Sequence, residues 1–452
     1  MLVRNAMGVM TGFRDERARI LDADIRVRDG RIAEIAPGLH PEPGEPVLDA
    51  SGCVIYPGWV NTHDHLFQRL LKGVSAGINS GLGEWLARVL QPRVARFTPD
   101  LVRLAARLGF AELLLSGATT CADHHYLYQR GTSTETGDVL FEAAEELGVR
   151  FVLCRGGAID VGTGPGLSTP QSLPPETFDG FAADIERLVA KFHDPRPDAM
   201  RRIVLAPTTP TYSLTPDALR RLAALARSFG IRMHSHLSET NDYVEFCAER
   251  YRRTPVEFVA EHDWLGPDVW YAHLVCVTGA EIGMLASSGT GLAHCPGSNC
   301  RLGSGVAPVP EMARRGVPVS IAVDGTASNE SGSMLAEVHL AWLIHRAIQG
   351  PKATTVEDVV HWASAGGAAI LGLDAVGALA PGMAADLVVY EVNHPRYFGI
   401  HDLLAAPVTC GEPARVRHSL VQGRIVVRDG AIPGLDLDRL RHEARSALAR
   451  LA

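Results

Sequence analysis

The sequence predicts an α/β protein: a (β/α)8 TIM-like barrel with a small β-sandwich domain formed by both chain ends. Three observations carry this expectation. Eight apolar runs of strand length lie between residues 53 and 324, separated by amphipathic stretches, the pattern of a parallel sheet buried on both faces. Histidines and carboxylates stand at the ends of several of these runs, where barrels place their reactive groups. The two chain ends instead read as short strands broken by turns.

Taken in order, the strand runs are 53–60, 119–123, 151–155, 203–206, 231–236, 269–273, 290–294 and 319–324. Helical patterns at 100–115, 139–147, 176–192, 216–229 and 280–287 separate them. A doubly wound open sheet is the alternative, and no G-x-G-x-x-G follows an early strand to support it. Segment 70–99, after the first strand, is long for a βα loop and carries Gly73, Gly77, Gly81, Gly83 and Trp85. It reads either as a water-excluding lid or as a helical insertion on the rim.

Outside the barrel, residues 2–5, 24–36 and 47–49 are strand-like, as are 386–392 and 419–427. Ile25 to Ile32 and Val421 to Val426 echo each other as strand, Gly-containing turn, strand. The expected division is 1–56 for the N-terminal part of the small β domain and 57–375 for the barrel. Residues 376–452 complete the β domain and add a terminal helix.

Composition narrows the classes. The 452 residues are 46% hydrophobic and 21% charged, ordinary for a globular chain, and the net charge of -8 leaves no basic footprint for nucleic acid. No segment approaches the roughly 20 apolar residues of a membrane span, and the N-terminus lacks a signal-peptide core. Eight cysteines without a C-x-x-C pair indicate a reduced, cytoplasmic protein. A homo-oligomer, a dimer, is expected.

His63 and His65, at i and i+2 of an extended segment, share a face and could form half of a metal site. Candidate partners stand at other strand ends: His234, His236 and Glu239 after the fifth, His273 at the sixth, His294 at the seventh, and Asp324 with Gly325 at the eighth. His236 lies nearer the open end and is the better ligand, with His234 a hydrogen-bonded residue one layer deeper. Asp324 supplies an oxygen ligand, or caps a helix, while Gly325 lets the chain turn sharply. Three histidines and an aspartate suit one Zn²⁺, with Fe²⁺ a possible substitute. Binuclear barrels commonly use a carbamylated lysine at the fourth strand. The lysines here are Lys72, Lys191 and Lys352, none of them there, so a mononuclear site is expected. Glu239 is read as a proton shuttle, or else a solvated loop acid. His273 is read as an oxyanion donor. His294 is a supporting or structural residue, and His124 and His125 are structural or substrate-lining.

The stretches P-G-W-V-N-T-H-D-H-L (57–66), H-S-H-L-S-E-T (234–240), Y-A-H (271–273), A-H-C-P-G-S-N (293–299), V-D-G-T-A-S-N-E (323–330) and A-P-G-M-A-A-D-L-V-V (380–389) resemble the amidohydrolase superfamily in its cytosine-deaminase-like branch. The resemblance covers nearly the whole chain. It implies a hydrolytic deaminase with metal ligands His63, His65, His236 and Asp324 and catalytic residues Glu239, His273 and Asp324. N-T-H-D-H-L-F-Q-R-L-L-K-G, A-D-H-H-Y and S-N-C-R-L-G-S-G are similar to deaminases of pterins, isoxanthopterin especially, and next of 8-oxoguanine. The implied substrate is a small fused aminoheterocycle that loses its exocyclic amine as ammonia. A triazine chlorohydrolase and a non-catalytic scaffold are the rival readings. Gln68 could bond an amide-like ring edge, Arg155 or Arg301 could face a ring oxygen, and Trp85 could stack on the ring. Each could equally be a packing residue.

Overall fold

The computed structural model describes residues 1–128, 135–159 and 175–451. Eight strands form the barrel: β1 (Trp59–Asp64), β2 (Ala118–His125), β3 (Arg150–Arg155), β4 (Arg201–Leu205), β5 (Arg232–Leu237), β6 (Val269–His273), β7 (Gly291–His294) and β8 (Val319–Ile321). They pair in chain order, every pair parallel. A parallel bridge between Asp64 and Asp324 closes the ring, with the Asp324 amide donating to the His63 carbonyl at 3.0 Å.

Strand periodicity sorts the side chains. In β3, Val152 and Cys154 fill the barrel interior, while Phe151 and Leu153 pack outward against the helix layer. Thr278 and Glu281 close a reciprocal capping box at the start of helix Gly279–Ser288, and Thr254 with Glu257 does the same for Pro255–Ala260.

The apolar run at 53–60 is two strands, not one. Cys53–Pro57 lies in a six-stranded sheet of the small domain, and the barrel begins at Trp59. Gly58 is the crossing point: a Cβ there would lie 2.2 Å from the Thr119 side chain. The sequence hides the break because both sheets bury this segment, so hydrophobicity stays continuous across it.

The six-stranded sheet draws on both chain ends, in the order Arg424–Arg428, Arg415–Val421, Leu387–Glu391, Cys53–Pro57, Gly8–Met10, Arg19–Leu21. One face packs Ile55, Leu387, Val389 and Leu420 against Val3, Ile25, Val27 and Leu48 of a second, four-stranded sheet. The other face lies on the barrel, where Tyr390 accepts from Trp59 Nε1 (2.7 Å) and donates to the Ser116 carbonyl (2.6 Å). The fully buried pair Arg150–Asp386 (3.0 Å) adds a second tie. The two echoing segments are hairpins with left-handed tips, Asp29-Gly30 and Gln422-Gly423, as tight two-residue turns require. Their tips meet, since a Cβ on Gly30 would touch Gln422 at 2.9 Å. The terminal helix Leu437–Leu451 docks on barrel helix Pro99–Leu115 through the pairs Arg450–Asp100 (2.6 Å) and Arg107–Glu443 (2.9 Å).

Between β1 and its helix, short helical turns including Leu82–Trp85 and Leu86–Leu90 roof the C-terminal mouth of the barrel. Trp85, Val89 and Leu90 pack there against Phe67, Leu101 and Tyr126. The segment is therefore both helical and a cover.

Candidate metal and catalytic site

His236 reaches the barrel mouth along the regular pleat of β5, while His63 and Asp324 do so where the backbone leaves it. In β1 the register against β2 slips between Asn61 and Asp64. Both of those side chains lie on the outside, Asn61 Nδ2 donating to Asp64 Oδ2 at 2.8 Å. The slip turns His63 inward, as a bulge re-aims a side chain. Ser238 (φ 52), His273 (φ 76), Leu274 (φ 44) and Asp324 (φ 63) are all left-handed without being glycine. Such strain concentrates at functional sites. The sharp turn expected of Gly325 belongs to Asp324 itself. Gly325 instead provides room, because a Cβ there would lie 2.0 Å from Gln68 Oε1.

The proton positions can be deduced. His65 Nδ1 lies 2.7 Å from the His124 carbonyl and His236 Nδ1 2.7 Å from the Thr208 carbonyl, so both Nδ1 atoms must donate. His234 Nδ1 likewise donates to the Trp270 carbonyl at 2.9 Å. Its Nε2 therefore accepts from His63 Nδ1, 2.7 Å away. In the neutral rings all three Nε2 atoms are then lone pairs, and they converge. His65 Nε2 is 3.2 Å from His236 Nε2, and Asp324 Oδ1 is 3.3 Å from both His63 Nε2 and His65 Nε2. His63 Nε2 is buried with no hydrogen-bond partner. Acceptors facing acceptors away from water demand a cation, and three imidazoles plus a carboxylate fit a divalent metal.

The electrostatics agree with that donor set. Burial lowers His63 well below the ordinary histidine value, lowers His65, and takes His236 to about 4. All three are thus neutral, the form that ligates. Burial alone would raise Asp324, but the His63 ring 3.3 Å away and the nearby His273 hold it well below the usual carboxylate range. Burial raises Glu239, partly offset by His273, whose Nε2 is 3.6 Å from Glu239 Oε2.

His65, His236, Glu239, His273 and Asp324 line one cavity with Gln68, Trp85, Tyr126, Thr208, Thr209, Tyr212, Tyr243, Ser328, Gln91 and leucines of the cover. Gln68 is oriented by the Ala327 amide on Oε1 (3.2 Å) and the Tyr126 hydroxyl near Nε2 (3.4 Å). Trp85 Nε1 donates to the Ala327 carbonyl at 2.8 Å, leaving its ring as a wall.

The two arginines do not line this cavity. Arg155 follows Phe151 and Leu153 on the outward face of β3. There its guanidinium pairs with Glu176 (2.6 Å) and Asp184 (3.0 Å) between the rings of Tyr128 and Phe181. Arg301 pairs with Glu330 (3.1 Å) and donates to the Gly77 carbonyl (3.0 Å), bracing the cover from behind. Of the two roles open to them, facing the substrate or packing, both take the second. His294 also points outward, its Nε2 3.2 Å from His345 Nε2.

Two residues have a larger part than their sequence suggests: His124, expected as structural or substrate-lining, and Asp64. His124 stacks on His236 at 4.7 Å, donates from Nε2 to the Ala206 carbonyl (2.8 Å), and leaves Nδ1 unpartnered within the cluster. Its parity with inward Ala122 was the available signal. Asp64, between the two ligand histidines, is fully buried and gripped at both oxygens by Arg69 (2.8 and 3.0 Å).

Comparison with known proteins gives one answer. A model of the amidohydrolase family matches residues 54–426. An isoxanthopterin deaminase from an unknown prokaryotic organism is 49% identical over 100% of this chain and 97% of that protein. An 8-oxoguanine deaminase from Pseudomonas aeruginosa is 39% identical over 99% and 98%. The crystal structure of a zinc-complexed atrazine chlorohydrolase from Arthrobacter aurescens superposes with a TM-score of 0.92 at 28% identity, over 99% of each chain. With lone pairs gathered at the mouth of an eight-stranded barrel and a family match that takes in every strand of that barrel, the chain belongs to the amidohydrolase family.

Proposed function

We propose that the protein is a metal-dependent hydrolytic deaminase that releases ammonia from a fused aminoheterocycle. A pterin such as isoxanthopterin is the first substrate and 8-oxoguanine the second. The observation that carries this reading is the placement of Glu239 beside His273, at the wall of the cavity that His65, His236 and Asp324 also line. The 49% identity to an isoxanthopterin deaminase supports the ring, and the 39% relative supports the runner-up. No lysine or arginine lines the cavity among the described residues, which favours a flat, neutral ring over a phosphorylated or carboxylated one.

His63, His65, His236 and Asp324 would hold the metal, Zn²⁺ in the first place and Fe²⁺ in the second. When bound, the metal would acidify a water from its bulk pKa towards about 7, supplying a nucleophile at neutral pH. Asp324 accepts the proton that water gives up. Glu239, whose buried carboxyl holds a proton more tightly than a free one, donates to the ring nitrogen next to the amine-bearing carbon and so makes that carbon electrophilic. As the water oxygen bonds to that carbon, His273 holds the charge that develops; the proton kept by Asp324 passes to the amine, the carbon–nitrogen bond breaks to release ammonia, and the new hydroxyl returns a proton to Glu239 as the carbonyl forms. Trp85 walls the ring and Gln68 offers an amide to its edge.

Two further parts of the reading concern the molecule's setting. A cytoplasmic location is supported by its eight free cysteines. A homodimer is supported by helix Met334–Gln349, where Leu343 and Ile348 are 41% and 59% exposed; light scattering tests it. Among the described residues, no helix is long and apolar enough to cross a membrane.

Ammonia release from isoxanthopterin, pterin, 8-oxoguanine, guanine, cytosine and a triazine tests the substrate class. Turnover should be highest on isoxanthopterin. Activity confined to cytosine or guanine, or chloride release from a chlorotriazine without ammonia, overturns the assignment.

A further inference from the structure

A second cavity, of about 360 Å³, opens at the opposite, N-terminal rim of the barrel. It lies between the starts of β4 and β5 and the turn at 371–374. Arg202 of β4, Arg232 of β5 and His193, just past helix Phe178–Phe192, line it. Both guanidiniums are held by backbone carbonyls alone. Arg202 Nη2 donates to Pro195 (3.2 Å) and Arg196 (2.7 Å), and Arg232 Nη1 to Pro267 (2.5 Å). Neither has a carboxylate oxygen within 4.0 Å among the described residues. The nearby acids are spent elsewhere: Asp194 on Arg196 (2.6 Å) and Asp268 on Arg227 (3.0 Å). Asp374 alone faces the cavity, one negative charge against two positive.

The remaining donors point to a ligand. Arg202 Nε is buried without a partner. The Ile203 amide donates to His193 Nδ1 at 3.2 Å, so a neutral His193 carries its proton on Nε2 and is a donor too. Burial and the charge of Arg232 pull Arg202 below the usual arginine range, as expected of a positive field with too few counter-charges. Two forked guanidiniums and an imidazole N–H match an oxyanion, and a phosphate offers each of the three groups an oxygen of its own where a carboxylate has only two.

We propose that this cavity is a phosphate-binding site, taking inorganic phosphate or the phosphate of a small phosphomonoester, remote from the catalytic mouth. An occupant would join the starts of β4 and β5 to the segment leading into the small domain, where the Ala375 amide already donates to the Pro197 carbonyl at 3.1 Å.

The test uses the full-length, metal-loaded protein. Thermal unfolding is followed against potassium phosphate, glycerol phosphate and potassium chloride at matched ionic strength, since screening alone acts equally for all three. Phosphate should raise Tm saturably and chloride should not, and a tighter midpoint for glycerol phosphate would identify an ester as the occupant. Arg232→Gln and Arg202→Gln should each weaken the midpoint by about tenfold or more, with ammonia release unchanged. The proposal is overturned by a wild-type response equal to that in chloride, or by a phosphate response that both variants retain. If neither variant folds, the ³¹P linewidth of phosphate with wild-type protein decides. Broadening that glycerol phosphate competes away supports the site, and an unbroadened line overturns it.

Discussion

Strands β1 and β3 end in the same way in sequence, an apolar run closing on a reactive side chain, yet they deliver those side chains to opposite sides of the barrel wall. At β3 the pleat stays regular, so Arg155 follows Phe151 and Leu153 outward into the helix layer. At β1 the register slips, Asn61 and Asp64 both face outward, and His63 swings in. His63 therefore reaches this site through backbone irregularity, whereas His236 reaches it along the unbroken pleat of β5. Left-handed backbone at Ser238, His273 and Asp324 lies beside Glu239 and at the ends of β6 and β8, the other departures from regular strand around the site.

The comparison can be broken from either side. The largest expected effect is on the irregular side. Glu239→Gln should cut ammonia release roughly 10²- to 10⁴-fold while the protein keeps its full metal content. Near wild-type turnover would remove Glu239 from proton transfer. On the regular side, Arg155→Met leaves Glu176 and Asp184 buried beside a missing charge. It should cost about 3–5 kcal/mol in denaturant unfolding without changing kcat of the folded fraction. A loss of kcat with stability intact would return Arg155 to the substrate.

His234 tests the layer beneath. It accepts from His63 and touches no cavity atom, so His234→Ala should weaken metal binding by about 10- to 100-fold, read by competition with a chelator. Unchanged affinity would show that His63 needs no such orientation.

The smallest effect concerns the outward pair His294–His345. Burial holds His345 at about 4, below its unfolded value, so the pair contributes stability above the ordinary histidine pKa and loses it as pH falls towards 4. The Tm should drop between pH 7 and 5, with a limiting slope of about 1.4 kcal/mol per pH unit for each extra proton bound on unfolding. His345→Gln should flatten that drop, and an equal drop in the variant would place the acid sensitivity elsewhere.

Much of this architecture is legible in the residues. β6 begins and ends where its apolar run does, at Val269 and His273. The strand-end histidines and Asp324 stand out because a buried strand otherwise has no use for them. What stays hidden has physical causes. The break at Gly58 leaves no trace in hydropathy, since burial is complete on both sides of it. The slip in β1 depends on the partner strand, not on the local sequence. Parity within β3 was readable and puts Arg155 outside, so that expectation failed by ignoring the pleat. Asp64 gave no signal because its partner, Arg69, is brought back to it by the 3₁₀ turn Leu66–Leu70.

The central claim is that a single metal, held by His63, His65, His236 and Asp324, is required for deamination. Titrating Zn²⁺ into chelator-stripped protein while ammonia release from isoxanthopterin is followed tests it most directly. The account predicts no activity without metal and a rise that stops at one equivalent. Activity in the stripped protein, or a plateau reached only at two equivalents, would contradict it.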